Sequence, residues 1–199
     1  MDTDTIARKI IDLERRDIQL RDELIRTGKL SEGYDKAMEA MHNRNAELLN
    51  AIIDDIGYPT IDKVGKAASD AAWLVIQHAI GKPAFMKRCR DLLESAVKVH
   101  RADPVHLAYL TDRIAVFEDK PQLYGTQFDW DAQGLLTPNW FDDLGQVNRR
   151  RKSVGLNTLE EQIKMIRKRA IEEKQSCPED LEAHKQAAGA WRKKVGWIR

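Results

Sequence analysis

Cysteine, proline and long apolar runs are all scarce in this sequence, and each scarcity removes a class of protein. Cys89 and Cys177 are the two cysteines, far apart and without CxxC spacing, so neither a disulfide framework nor a cysteine metal knuckle is available. Cys89 falls at a core position of a helical pattern, which makes it a buried thiol. No run approaches the roughly 20 apolar residues of a membrane span. Met1-Asp2-Thr3-Asp4 is acidic and has no apolar segment behind it, so the chain reads as cytoplasmic. There is no glycine-rich phosphate loop after a strand and no GxSxG. Nucleophilic catalysis by serine or cysteine therefore has no support.

What is present fits a folded, helix-rich protein: 199 residues, 42% hydrophobic and 33% charged, enough for one substantial domain with an appended arm. The net charge of +1 hides an asymmetry. From Arg149 onward there are 14 Lys/Arg against 7 Asp/Glu, and the remainder is acidic. Glu160, Glu161, Glu172 and Glu173 are interleaved with the basic residues, as on solvated helix faces.

Apolar spacing predicts a first helix over about residues 5–26, on Ile6, Ile10, Leu13, Leu20 and Leu24, with Asp17 interrupting the seam. Gly28 should stop it. A second helix is predicted over about residues 31–56, with Tyr34, Met38, Met41, Leu48, Ile52 and Ile56 on one face. Together they form an antiparallel hairpin arm over residues 1–56. Gly57-Tyr58-Pro59-Thr60 breaks the pattern. Ala67 to Ile80 is apolar nearly all round, which marks a central buried helix. Pro83 and Asp103-Pro104 open two further core helices.

Residues 127–130 and 135–137 alternate around Asp131-Ala132-Gln133-Gly134, a small β-hairpin pattern. Pro138-Asn139-Trp140-Phe141 should pack on the core through its aromatics. Helices follow over about residues 143–154, from the capping box Thr158-Leu159-Glu160-Glu161, and from a second box at Ser176-Cys177-Pro178-Glu179. The expected fold is all-α, a helical bundle with a long N-terminal antiparallel hairpin and one small β-hairpin near residues 127–137. The expected parts are the arm (1–56), a core helical domain with polar motifs (57–175) and a basic C-terminal helix (176–199).

Chemistry concentrates in a few polar residues. Gln77 and His78 sit on the apolar central helix, where each must find partners or cost about 1–3 kcal/mol. His78 is the candidate acid/base. Asp112 and Arg113 follow on the helix opened by Pro104, and Arg113 could hold a carboxylate or phosphate, or lock the bundle by pairing with an acid. Pro121-Gln122-Leu123-Tyr124-Gly125-Thr126-Gln127 is too polar and too broken to be core. His106 falls in the first turn of its helix and suits a surface role. His78 and His106 lack HxxxH, HxH or ExxH spacing, so no metal site is expected from them, and no cofactor is specified.

Ala71-Ala72-Trp73-Leu74-Val75-Ile76-Gln77-His78-Ala79, Leu107 to Arg113 with Leu110-Thr111-Asp112-Arg113, and Pro121 to Gln127 occur here in that order. Together they resemble a bacterial domain-of-unknown-function family marked by AAWLxxQHA, LTDR and PQxYGTQ. The resemblance covers about residues 45–171. It implies that Gln77, His78, Asp112, Arg113, Gln122, Tyr124, Thr126 and Gln127 belong to one unit.

Three readings follow. In the first, these residues line a pocket for a small anionic ligand, with His78 as acid/base. In the second, the hairpin arm is a protein-interaction or homo-oligomerisation element and the polar motifs only fasten loop to core. In the third and weakest, Arg149-Arg150-Arg151-Lys152, Arg167-Lys168-Arg169 and Arg192-Lys193-Lys194 bind nucleic acid, with Trp191 and Trp197 close by.

Overall fold

The computed structural model describes residues 2–27 and 34–199. Eight helices and one two-stranded antiparallel sheet are present among them, so the fold is all-α with a minor hairpin. The chain divides into two compact units, Met1–Asp103 and Pro104–Arg199. No helix among the described residues is long and apolar enough to cross a membrane.

The first unit holds α1 (Thr3–Arg26), α2 (Lys36–Ile56), α3 (Ile61–His78) and α4 (Pro83–Lys98). The α1 stripe is Ile6, Ile10, Leu13, Asp17 and Leu24, all buried, and it packs more extensively on α3 than on α2. The expected stop at Gly28 and start at Ser31 lie outside the described residues. Asp35 caps α2, accepting from the backbone N–H groups of Ala37 and Met38.

The buried face of α2 differs from the predicted one. It is Met38, His42, Asn45, Ala46, Leu49 and Ile53, whereas Leu48 is exposed. The paired apolar residues at 48–49 and 52–53 permit two stripes. The one that wins carries polar residues with partners on α1: Asn45 Nδ2 donates to the Leu13 carbonyl at 3.2 Å, and His42 reaches Asp17.

Helix α3 starts earlier than predicted and bends at Gly65, whose φ of 78° is closed to most L-residues. Lys63 Nζ hydrogen-bonds the last α2 carbonyl, that of Ile56, and so satisfies a helix end that would otherwise lack a donor. Pro83 stands in the first turn of α4. Cys89 is buried, and desolvation pushes its thiol up to about 12. It is therefore inert.

The second unit holds α5 (Pro104–Phe117), β1 (Phe128–Trp130), β2 (Leu136–Pro138), α6 (Leu144–Ser153), α7 (Leu159–Glu172) and α8 (Leu181–Val195). The hairpin pairs Phe128 with Pro138 and Trp130 with Leu136, around a turn in which Asp131 Oδ1 accepts from the N–H groups of Gln133 and Leu135. The capping box at Thr158 forms as predicted, with Glu161 reciprocating. At α8 the cap is Asp180, accepting from Ala183, rather than Ser176. An aspartate next to the first periodic residue outcompetes a box placed a turn too early.

Trp140 is exposed, against the expectation that residues 138–141 pack through their aromatics. Backbone bonds hold that segment instead: Gln122 N to the Trp140 carbonyl at 2.8 Å and Asn139 N to the Gln127 carbonyl at 2.9 Å. No residue of α8 is buried. It is anchored beyond its end by buried Trp197, stacked on Phe117 with ring centroids 5.1 Å apart.

Candidate functional site

The segment Pro121–Gln127 follows α5 without regular structure, so its backbone groups need partners from elsewhere. Asp112 supplies the acceptors. Its buried carboxylate takes hydrogen bonds from the N–H groups of Leu123 (2.8 Å), Tyr124 (3.1 Å) and Thr126 (2.9 Å), and from the Thr126 hydroxyl (3.0 Å). Burial raises the pKa of Asp112, and these donors pull the other way.

Arg151 supplies the donors from α6. Its guanidinium is buried and gives hydrogen bonds to the Tyr124 carbonyl (2.8 Å), the Asn157 carbonyl (2.5 Å) and Asn157 Oδ1 (2.8 Å). Gln122 closes the loop on itself. Its Oε1 accepts from Gln127 N at 2.7 Å, while its Nε2 donates to the carbonyls of Gln127 (3.1 Å) and Asn139 (2.9 Å). The loop is thus clamped on both its donor and its acceptor side. Gly125 is required within it: φ is +63°, and a Cβ there would stand 2.9 Å from Leu159 Cδ1.

Most of the predicted ligand-binding residues are therefore engaged in structure. Asp112, Gln122, Tyr124 and Thr126 hold the loop through the bonds above. Arg113 and Gln127 differ. Arg113 Nε donates to Gln127 Oε1 at 3.1 Å, and both side chains line a cavity of about 500 Å³. Phe117 of α5, Phe128 of β1, and His184, Lys185 and Arg192 of α8 also line it. Burial draws the Arg113 guanidinium down to about 10, still cationic at neutral pH. Arg192 pairs with Asp119, and Asp129 is the other acid in the lining. Fixed positive charge exceeds negative on these walls.

His78 has other partners. In the first unit its Nδ1 lies 2.8 Å from Asp17 Oδ2, and His42 Nε2 lies 3.2 Å from Asp17 Oδ1. The two imidazoles are tilted against each other, centroids 4.9 Å apart. Tyr34 Oη is 2.6 Å from His42 Nδ1 and its ring stacks on that imidazole. Burial alone would raise the Asp17 pKa, but hydrogen bonds from His42 and His78 hold it well below the usual carboxylate range. Asp17 and His42 are buried, whereas the His78 side chain keeps 26% of its exposure. A carboxylate that orients a partly exposed imidazole can serve proton transfer, and three such ligand atoms can hold a cation. Gln77, next to His78, is buried.

Two of these participants escaped the sequence reading. The signal for Asp17 was its place on the α1 seam, where an acid must have a partner. His42 is one helical turn after Met38 and one before Ala46, both buried, but the wrong stripe of α2 concealed it. The basic C-terminal residues also have internal work. Arg150 pairs with Asp142, pulling that carboxyl down to about 2, and Arg167 Nε donates to the Leu136 carbonyl at 2.9 Å.

No curated protein and no solved structure matches the chain. A family model matches residues 8–172, a span that takes in most of α1 and all of α2, and therefore Asp17 and His42 as well as the three motifs. The chain belongs to this family, described as a family of unknown function, DUF6624.

Proposed function

We propose that the second unit binds a small anionic molecule, a carboxylate or phosphate ester, in the cavity lined by α5, β1 and α8. The observation that carries this reading is the Arg113–Gln127 pair on the cavity wall. A guanidinium whose Nε is already fixed by an amide is pre-organised to receive an anion at low entropic cost. Its volume falls within the range of small-molecule sites, and Phe117 and Phe128 supply apolar wall. The clamp of Asp112 and Arg151 on the preceding loop keeps Gln127 in place.

The test is a thermal-shift and calorimetric survey of organic phosphates, dicarboxylates and matched neutral analogues. At least one anionic class should bind while its neutral analogue does not. Arg113→Gln should weaken that binding at least about tenfold, the loss of one charge-assisted hydrogen bond, with helix content unchanged. Lys185→Ala, on an exposed α8 position, is a second variant that leaves the core untouched. The absence of any anion response in the wild-type protein would sink the reading.

A further inference from the structure

We infer that Asp17, His42 and His78 form a binding site for one divalent transition-metal ion of the zinc class. The three side chains come from α1, α2 and α3, and each offers one ligand atom, all within 4.8 Å of one another. Metal–ligand bonds of about 2.0–2.2 Å place tetrahedral ligand atoms about 3.3–3.5 Å apart. His78 Nδ1 lies 2.8 Å from Asp17 Oδ2 and His42 Nε2 lies 3.2 Å from Asp17 Oδ1. With the whole set within 4.8 Å, these distances bracket that spacing, and small side-chain rotations would bring both imidazoles round one ion. Two imidazole nitrogens and one carboxylate oxygen form a borderline-soft set that suits zinc and its neighbours rather than calcium or magnesium.

Charge favours the same occupant. Asp17 is buried, and its hydrogen-bond partners are imidazoles rather than Lys or Arg. Glu14 lies one turn before it on α1, half-buried, and its carboxyl is pushed up by burial and by the charges of Asp70 and Asp17. Glu14 thus adds a second acid near the Asp17 carboxylate. A metal ion would take the lone pairs of His42 Nε2 and His78 Nδ1 in place of protons and neutralise Asp17.

The outer partner is also present. With Nε2 on a metal, His42 Nδ1–H would donate to Tyr34 Oη, 2.6 Å away, the second contact that fixes ring orientation in metal-bound histidines. His78, with 26% of its side chain exposed, is the ligand on the solvent side, where an ion would enter and a water would complete its coordination. Three protein ligands with one open position is the arrangement of reactive rather than purely structural zinc sites.

The experiment uses the full chain stripped with a chelator and titrated with Zn²⁺ by calorimetry and with Co²⁺ by visible absorption. One ion per chain and an intense, low-coordinate Co²⁺ spectrum are the expected results. His42→Ala and His78→Ala should each lower Zn²⁺ affinity by at least about 100-fold. Tyr34→Phe should lower it by about tenfold or more, as losses of outer partners do. Long-range ¹H–¹⁵N spectra of the wild-type protein keep the test open should a variant fail to fold. Of the five histidines, the ring nitrogens of two, His42 and His78, should move on zinc addition. No binding by the wild-type chain, binding indifferent to both histidines, or shifts confined to His100, His106 and His184 would each overturn the site and leave Asp17 simply hydrogen-bonded by two histidines. None of these results bears on the anion cavity, whose survey is run without metal.

Discussion

Asp17 shows how one residue can couple stability to pH. Its pKa lies below the ordinary value of 3.8 because the hydrogen bonds from His42 and His78 outweigh the burial that would raise it. For a depressed carboxyl the unfolded chain takes up the proton first as pH falls, so stability is present above about pH 4 and is lost as pH drops through the folded value. Asp17→Asn removes that titration. The urea midpoint of the wild-type chain should fall as pH goes from about 5 to about 2, and the variant's midpoint should fall less over the same interval. Equal slopes would mean that the carboxylate is not held as described. The sequence made half of this visible. An acid on an apolar seam announces a buried partner without saying which residue it is. The partner, His42, is 25 positions away on another helix, and no local pattern encodes that contact.

Helical spacing recovered α1 and two-residue alternation recovered the hairpin strands closely, because in both the competing pattern is weak. It failed where two patterns were equally apolar, as on α2, and where backbone geometry intervened, as at Gly65. A glycine inside a helical run reads as a mild weakness, yet here it adopts φ 78° and bends α3. A Cβ would meet no heavy atom within 4 Å at Gly65, and none at Gly189 within α8. Sterics of contact are therefore equal, and only the backbone differs. Gly65→Ala should cost about 1–3 kcal/mol, because φ 78° with ψ 161° is a backbone region nearly reserved for glycine. Gly189→Ala should gain up to about 1 kcal/mol from helix propensity. Urea denaturation of the two variants checks the opposite signs. A gain at Gly65 would show that the bend is not required.

At the scale of the whole chain, the three polar sequence motifs divide between two hydrogen-bond networks. Gln77-His78 belongs to Met1–Asp103, while Asp112-Arg113 and the 121–127 loop belong to Pro104–Arg199. Spacing along the sequence could not reveal that division, because the motifs lie within about 50 residues of one another. The partners are what separate them. His78 answers to Asp17, and the loop answers to Asp112 and Arg151.

Asp112→Asn exploits this separation. Each carboxylate oxygen accepts at least two donors, so an amide in either orientation points its NH₂ at two of them. The loss should be about 3 kcal/mol, that of one charged acceptor and the donors left without it. Hydrogen exchange read by mass spectrometry should show faster exchange across the loop, α5 and α6, with Met1–Asp103 keeping its protection, because the bonds broken all end inside the second unit. Uniform loss of protection along the chain would instead make the two units one cooperative structure. Full protection in both would mean that the loop stands without its carboxylate.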